Sequence, residues 1–161
     1  MIAQNSNIIF RGIGGEKMID LGMKSIEDIQ KMSVMGFVEI IWHLSFFRDL
    51  ANKVLDEIDN YQPRQIILID YPGFNLRLAK KIKEQFDIPI TYYISPQIWA
   101  WKENRIEIIR KYIDQMLVIF PFEENWYKER GIKAKFVGHP IIDEWVPTSK
   151  DVLCKKLNIF Y

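Results

Sequence analysis

The 161 residues predict an α/β fold, a Rossmann-like parallel sheet with helices on both faces. Three observations carry that expectation. Short β-branched or aromatic runs, apolar nearly throughout, suit parallel strands covered on both sides. Longer segments with apolar residues at helical spacing separate them. The chain is also 48% hydrophobic, which is enough for one globular core and little evidence for two.

The elements follow in order. A first strand is expected over 7–11 (NIIFR), and it leads into Gly12–Gly15. That glycine run lacks the full G-x-G-x-x-G spacing of a dinucleotide-binding turn. Ser45–Asn60 sets Phe47, Leu50, Val54 and Ile58 on one helical face. A strand is expected over 65–69. Asn75–Phe86 then reads as a helix with Leu78, Ala79 and Ile82 on one side, and Arg77, Lys80, Lys81 and Lys83 largely on the other. Strands over 90–94, 115–119 and 135–137 alternate with helices over 104–112 and 122–130, the last stopped by Gly131. Ser149–Leu157 reads as one further helix. Measured against a complete Rossmann-like domain, both ends read as cut: residues 1–148 as a truncated N-terminal domain, 149–161 as the start of a linker or second domain.

Composition excludes several function classes. A formal net charge of +1 provides no field to recruit nucleic acid, so no nucleic-acid partner is expected. The single cysteine, Cys154, cannot form an intramolecular disulfide and fits a reducing cytosol. Met1–Asn7 is polar and lacks the basic-then-apolar pattern of a signal peptide. The densest apolar run, residues 34–47 (VMGFVEIIWHLSFF), falls short of the roughly 20 residues a spanning helix needs. It is long enough to lie on a bilayer, with Val38, Ile41, Trp42, Leu44 and Phe46 as the expected contact set; ordinary core is the alternative. His43 within it reads as interfacial.

Four segments could carry chemistry, and each follows a strand. Ligands of open α/β sheets bind beyond the carboxyl ends of the strands, which places Asp70 in Ile69-Asp70-Tyr71-Pro72-Gly73-Phe74-Asn75 where catalytic groups sit. Pro72 and Gly73 are expected to make the rigid turn that directs its carboxylate; a turn-forming or capping Asp70 is the competing reading. In Ser95–Lys102 (SPQIWAWK), Trp99 and Trp101 could stack on a sugar or pack on an acyl chain, and Lys102 with Arg105 could hold a phosphate. The alternative is that the indoles fill the core and the cations are solvated. Phe120-Pro121-Phe122-Glu123 reads as a well-capped helix start. His139 in Val137-Gly138-His139-Pro140 could act as acid, base or donor, or be a satisfied structural histidine. No Cys/His spacing suggests zinc, so no metal is expected.

Taken together, these blocks resemble the N-terminal half of the lipid-A-disaccharide synthase family, a group of glycosyltransferases. The matching stretches are GIGGEKM (12–18), VMGFVEI (34–40), LIDYPGFNLRLAKKIK (68–83), YYISPQIWAWKENRI (92–106), VIFPFE (118–123) and FVGHPIID (136–143), in family order and spacing. Each is weak alone, and six in order are specific. The resemblance implies the N-terminal, acceptor-side, membrane-facing domain of a two-domain glycosyltransferase of the B type. It implies transfer of 2,3-diacylglucosamine from its UDP form to 2,3-diacylglucosamine 1-phosphate (lipid X) at the inner face of a bacterial inner membrane, without a cofactor. It puts the family's essential aspartate at Asp70 as general base. Asn75, Ser95, Trp99, Trp101, Lys102, Arg105 and His139 become the candidate substrate-binding set.

Two departures bear on activity. The family's N-terminal Gly-Glu-x-Ser-Gly-Asp motif and first strand have no counterpart here, nor does the C-terminal domain that supplies the UDP-binding residues and a needed arginine. The chain is therefore expected to hold at most half of an active site, to be inactive alone, and to need that C-terminal domain as a partner, on a separate chain if this is a split gene product rather than a fragment or a decayed gene. A non-catalytic membrane- or lipid-binding fragment is the competing function. An unrelated sugar-nucleotide enzyme of similar fold, such as an epimerase, is disfavoured by the motif series.

Overall fold

The structure, a computed structural model, describes residues 8–28, 40–100 and 103–143. It is an α/β protein whose strands fall in two sheets. The elements run β1 (Arg11–Gly14), α1 (Glu16–Asp20), β2 (Lys24–Asp28), α2 (Ile40–Tyr61), β3 (Ile66–Ile69), α3 (Pro72–Gln85) and β4 (Ile90–Tyr93). A 3-10 turn (Glu103–Arg105) then leads into α4 (Ile106–Tyr112), β5 (Gln115–Val118), α5 (Pro121–Lys128), β6 (Ala134–Phe136) and α6 (Pro140–Asp143). The chain divides into two compact units, one of residues 1–66 and 76–88, the other of 67–75 and 89–161.

In the first unit, β1 and β2 pair in parallel, with Arg11 opposite Lys24 and an irregularity between Gly12 and Ile13. The first strand lies further along than the expected 7–11, because the GIGG glycines belong to the strand and its exit rather than to a turn. A Cβ on Gly14 would lie 2.6 Å from Met18 Sδ and 2.7 Å from Met23 Cε, so the ends of both flexible side chains would have to shift. Strand β2 was not foreseen. Lys24-Ser25-Ile26-Glu27-Asp28 has no apolar run, and pairing with β1 makes it a strand. Helix α2 presents Leu50, Ala51, Leu55 and Ile58 to the core, as the spacing of Leu50 and Ile58 predicts, while Phe47 and Val54 are half-buried. Leu76, Leu78, Ala79 and Ile82 of α3 are buried in the same unit, and Arg77 and Lys80 are exposed. The Arg11 guanidinium pairs with Glu57 and lies 3.5 Å over the Tyr61 ring, and Lys53 bonds Glu27 at 2.6 Å. These contacts attach both strands to α2.

The second unit holds the larger sheet, in the order β3-β4-β5-β6. β4 and β5 pair in parallel from Thr91 opposite Gln115, and β5 and β6 from Met116 opposite Ala134. Only β4 fits the expectation of a strand covered on both faces, with Ile90, Thr91 and Tyr92 all buried. β3 and β6 end the sheet, and Ile67, Ile69 and Phe136 on them stay exposed. Ile98, Ile106, Ile109, Met116, Val118, Tyr127 and Ile132 also belong to this core.

Helix α5 stops as Gly131 predicts. Gly131 takes φ +72° and donates to Lys128 O at 3.0 Å, while Ile132 N donates to Tyr127 O at 3.0 Å. That double reach-back is a Schellman end. Among the described residues, no helix is long and apolar enough to cross a membrane. The expected helix at 149–157 and the domain limit near 148 lie outside the described residues, as do Cys154 and residues 34–39.

Candidate active site

Each described member of the candidate set lies in the second unit, following the carboxyl end of a strand. Asp70 directly follows β3. Ser95, Trp99 and Arg105 come after β4, and His139 after β6. Trp101 and Lys102 lie outside the described residues.

The chain leaves β3 through two left-handed residues, Asp70 and Tyr71, each at φ +47°. For residues other than glycine, that conformation costs about 1–2 kcal/mol apiece. It must therefore be held by its surroundings. The turn is thus Asp70-Tyr71, not the expected Pro72-Gly73. Pro72 is the first residue of α3, where its missing N–H and preset φ cost nothing. The helix starts three residues earlier than Asn75 for the same reason.

Four hydrogen bonds hold this turn. Asp70 N donates to Tyr93 O at 2.9 Å, extending the sheet by one rung. The Tyr92 hydroxyl donates to Asp70 O at 2.6 Å. Asn75 Nδ2 donates to Asp70 O at 2.7 Å and to Ile69 O at 3.0 Å. The side-chain amide of Asn75, expected to meet substrate, is thus engaged on the turn. Asp70 itself is exposed. The first free helical amides are served by Tyr71 O, which accepts from Phe74 N at 3.2 Å and Asn75 N at 3.1 Å. Of the competing structural reading, the turn-forming half is therefore present at Asp70, while the helical amides of α3 named here are served by Tyr71 O and not by the Asp70 carboxylate. Burial raises the Tyr92 pKa far above its ordinary value of 10.0, and the Asp70 charge adds to that rise while Arg105 opposes it. The hydroxyl therefore remains a donor, and Arg105 is electrostatically close to the same corner.

Beyond β4 the chain makes a second strained exit. Ile94, a β-branched residue, sits at φ +64° with its N donating to Leu117 O at 3.1 Å. Ser95 and Trp99 then converge on Glu123, which is fully buried. Glu123 Oε1 accepts from Ser95 Oγ at 2.6 Å and from Trp99 Nε1 at 3.1 Å. Its Oε2 accepts from Phe120 N at 3.2 Å, the glutamate half of a capping box at the start of α5. The well-capped helix start expected at Phe120-Pro121-Phe122-Glu123 is thus present, with Glu123 as its capping side chain. The legible signal was a glutamate two residues beyond Pro121, the spacing from which it can reach back to Phe120 N. What it could not show was that two donors from another loop converge there. Tyr127 is buried beside it, its hydroxyl 3.4 Å from Pro96 O, and burial raises its pKa well above the ordinary value, with the Glu123 charge adding to the rise.

An aromatic set lines this end of the unit. The Trp99 and Phe122 rings meet edge to face at 5.1 Å, Phe120 and Phe122 stack at 5.9 Å, and Phe120 lies 5.6 Å from the His139 ring. Trp99 is 39% and Phe122 50% exposed, so both offer an apolar face while the indole N–H is held from behind. His139 Nδ1 accepts from Ile141 N at 3.2 Å, which leaves its other ring nitrogen for a ligand. Among the described residues, no group of three His, Cys, Asp or Glu side chains could hold a metal ion.

The sequence matches the family described as lipid-A-disaccharide synthetase over residues 1–159. The chain belongs to the lipid-A-disaccharide synthase family. Lipid-A-disaccharide synthase 1 of Legionella pneumophila (strain Philadelphia 1) is 45% identical over 140 residues, which cover 87% of this chain and 36% of that protein. The lipid-A-disaccharide synthase of Koribacter versatilis is 44% identical over 130 residues, covering 81% of this chain and 34% of the relative. That of Coxiella burnetii (strain Dugway 5J108-111) is 37% identical over 154 residues, covering 95% and 41%. The chain therefore spans little more than a third of the length of these relatives. Members of the lipid-A-disaccharide synthase family are hexosyltransferases of lipid A biosynthesis, and Legionella and Coxiella are Gram-negative bacteria.

Proposed function

We propose that this chain supplies the acceptor side of a lipid-A-disaccharide synthase, with Asp70 as general base. The donor is UDP-2,3-diacylglucosamine and the acceptor 2,3-diacylglucosamine 1-phosphate. Asp70 Oδ takes the proton of the acceptor 6-hydroxyl as that oxygen attacks the anomeric carbon from the face opposite UDP. The bond from the anomeric carbon to the diphosphate oxygen breaks, and its electron pair leaves with UDP. The product is a β-1,6-linked disaccharide 1-phosphate. Trp99, Trp101 and His139 serve the sugar and acyl groups, and Lys102 and Arg105 the acceptor phosphate. The UDP-binding residues come from the C-terminal part of the complete enzyme, on the same or a separate chain.

The observation that carries this reading is the exposed Asp70 carboxylate at a strand's carboxyl end, on a turn held through its main chain and not used as a helix cap. Asn is nearly isosteric with Asp and turns equally well, but it is no carboxylate base. The test is Asp70→Asn in a chimera where these 161 residues replace the matching region of the Legionella relative. Turnover should fall by roughly two to four decades with an unchanged melting temperature. Near-normal turnover would rule out the base role.

We further propose that the protein works at the cytoplasmic face of the inner membrane, touching it through residues 34–47. Val38 and the side chains of Ile41, Trp42 and Leu44 lie outside the described residues, and Phe46 is half-buried. The support is the apolar density of that run in a chain matching a lipid enzyme family. Ile41→Asp with Trp42→Asp should reduce co-sedimentation with anionic liposomes several-fold. Unchanged sedimentation would overturn the contact.

A further inference from the structure

Both polar main-chain groups of Asp70 are tied to the same strand. Its N–H donates to Tyr93 O on β4 at 2.9 Å, and its carbonyl accepts the Tyr92 hydroxyl of β4 at 2.6 Å. One residue of β4 thus reaches the site through its main chain and the next through its side chain. Tyr92 is fully buried, so neither its ring nor its hydroxyl has freedom to follow a moving turn. The turn it holds is strained, with Asp70 and Tyr71 both at φ +47°, and it would relax toward ordinary backbone angles if released. Asn75 adds a second donor to the same carbonyl at 2.7 Å from the first turn of α3. With N–H and C=O anchored, only the two side-chain torsions of Asp70 remain to place its carboxylate.

We propose that Tyr92 is a positioning residue for the reaction: through its hydrogen bond to Asp70 O, backed by Asn75, it holds the left-handed Asp70-Tyr71 turn in the geometry that aims the carboxylate. This rests on Asp70 being the base. A small displacement of a base costs far more rate than binding, so the loss belongs in kcat and should vanish once the carboxylate is gone. Tyr92→Phe removes only the hydroxyl and leaves the ring packed in the core. A residue needed merely for folding would lower activity alike whether or not residue 70 is an acid.

The first measurement uses the 161-residue chain alone and reads amide hydrogen exchange. Tyr92→Phe should speed exchange at Asp70, Phe74 and Asn75 by about ten-fold or more relative to the rest of the sheet. Exchange unchanged at those three amides would overturn the proposal. The second uses the chimera described above. Tyr92→Phe should lower kcat about ten- to a hundred-fold, with the acceptor KM within about two-fold. In the Asp70→Asn background the same substitution should change turnover by less than about two-fold. An equal loss in both backgrounds, or a raised KM with normal kcat, would overturn it. If Tyr92→Phe fails to fold, Asn75→Ala removes the other donor to the same carbonyl and should give the same pattern. If Asp70→Asn alone keeps normal turnover, the base reading falls, and exchange still decides whether Tyr92 holds the turn.

Discussion

Tyr92 and Tyr127 show how burial turns ordinary side chains into fixed donors. Both lie fully inside the second unit, and burial raises the pKa of each well above the usual 10.0. The folded protein therefore keeps both protons to a higher pH than the unfolded chain does. Their contribution is complete below about pH 10 and is lost as pH climbs above it, by about 1.4 kcal/mol per pH unit for each tyrosine. Urea unfolding between pH 9 and 11.5 should show that decline, and a Tyr92→Phe, Tyr127→Phe double variant should show a visibly flatter one. Identical pH profiles for the two proteins would contradict it. Asp70 was legible from sequence because an acid directly after an apolar strand run is visible as such. Tyr92 was not, since in ITYYI nothing distinguishes the tyrosine that reaches across to β3 from its neighbour.

At the scale of elements, the candidate site residues lie at strand exits rather than on strands. Asp70, Tyr71 and Ile94 are left-handed where the chain leaves β3 and β4. Each of these exits is pinned by polar contacts from an element distant in sequence. Glu123 does this for the loop after β4, joining it to the start of α5 through Ser95, Trp99 and Phe120 N. Removing that carboxylate strands three donors in or near the core. Glu123→Ala should therefore lower unfolding stability by about 2–4 kcal/mol, while Glu123→Gln, which keeps one oxygen acceptor, should cost about 1 kcal/mol. Urea midpoints would report the difference, and an alanine variant within about 0.5 kcal/mol of the parent would refute the network's structural weight. Helices α4 and α5 were readable to within a few residues, α5 because Pro121 and Gly131 mark its bounds by local backbone preference, whereas the short α6 was not expected. Strand β2 was not, because its residues carry no apolar periodicity.

For the whole molecule, the chain spans 34–41% of the length of the relatives described above. Asp70 and the aromatic set lie within the second unit, and the reaction proposed above assigns UDP binding to the C-terminal part of the complete enzyme. The purified 161-residue chain, given both UDP-2,3-diacylglucosamine and the acceptor, is expected to release no disaccharide above background in a radiolabel assay. Adding the remaining C-terminal region of a relative should restore it. Robust product from the chain alone would overturn the division of the active site proposed here.

What the sequence by itself determined is the class of fold and the family. Both rest on short-range information: apolar runs of strand length, helical periodicity, proline and glycine stops, and six ordered motifs that survive without knowledge of their contacts. Tertiary structure alone decided how the candidate residues are held. It put the turn at Asp70-Tyr71 instead of Pro72-Gly73, drew the amide of Asn75 into holding that turn, and made Glu123 a buried junction. Apart from the local contact of Asn75, these outcomes depend on groups more than 20 residues apart meeting at hydrogen-bonding distance, as Tyr92 meets Asp70 and Glu123 meets Ser95. The physical reason is that a buried polar group must find a partner somewhere in the folded chain, and linear spacing does not say where.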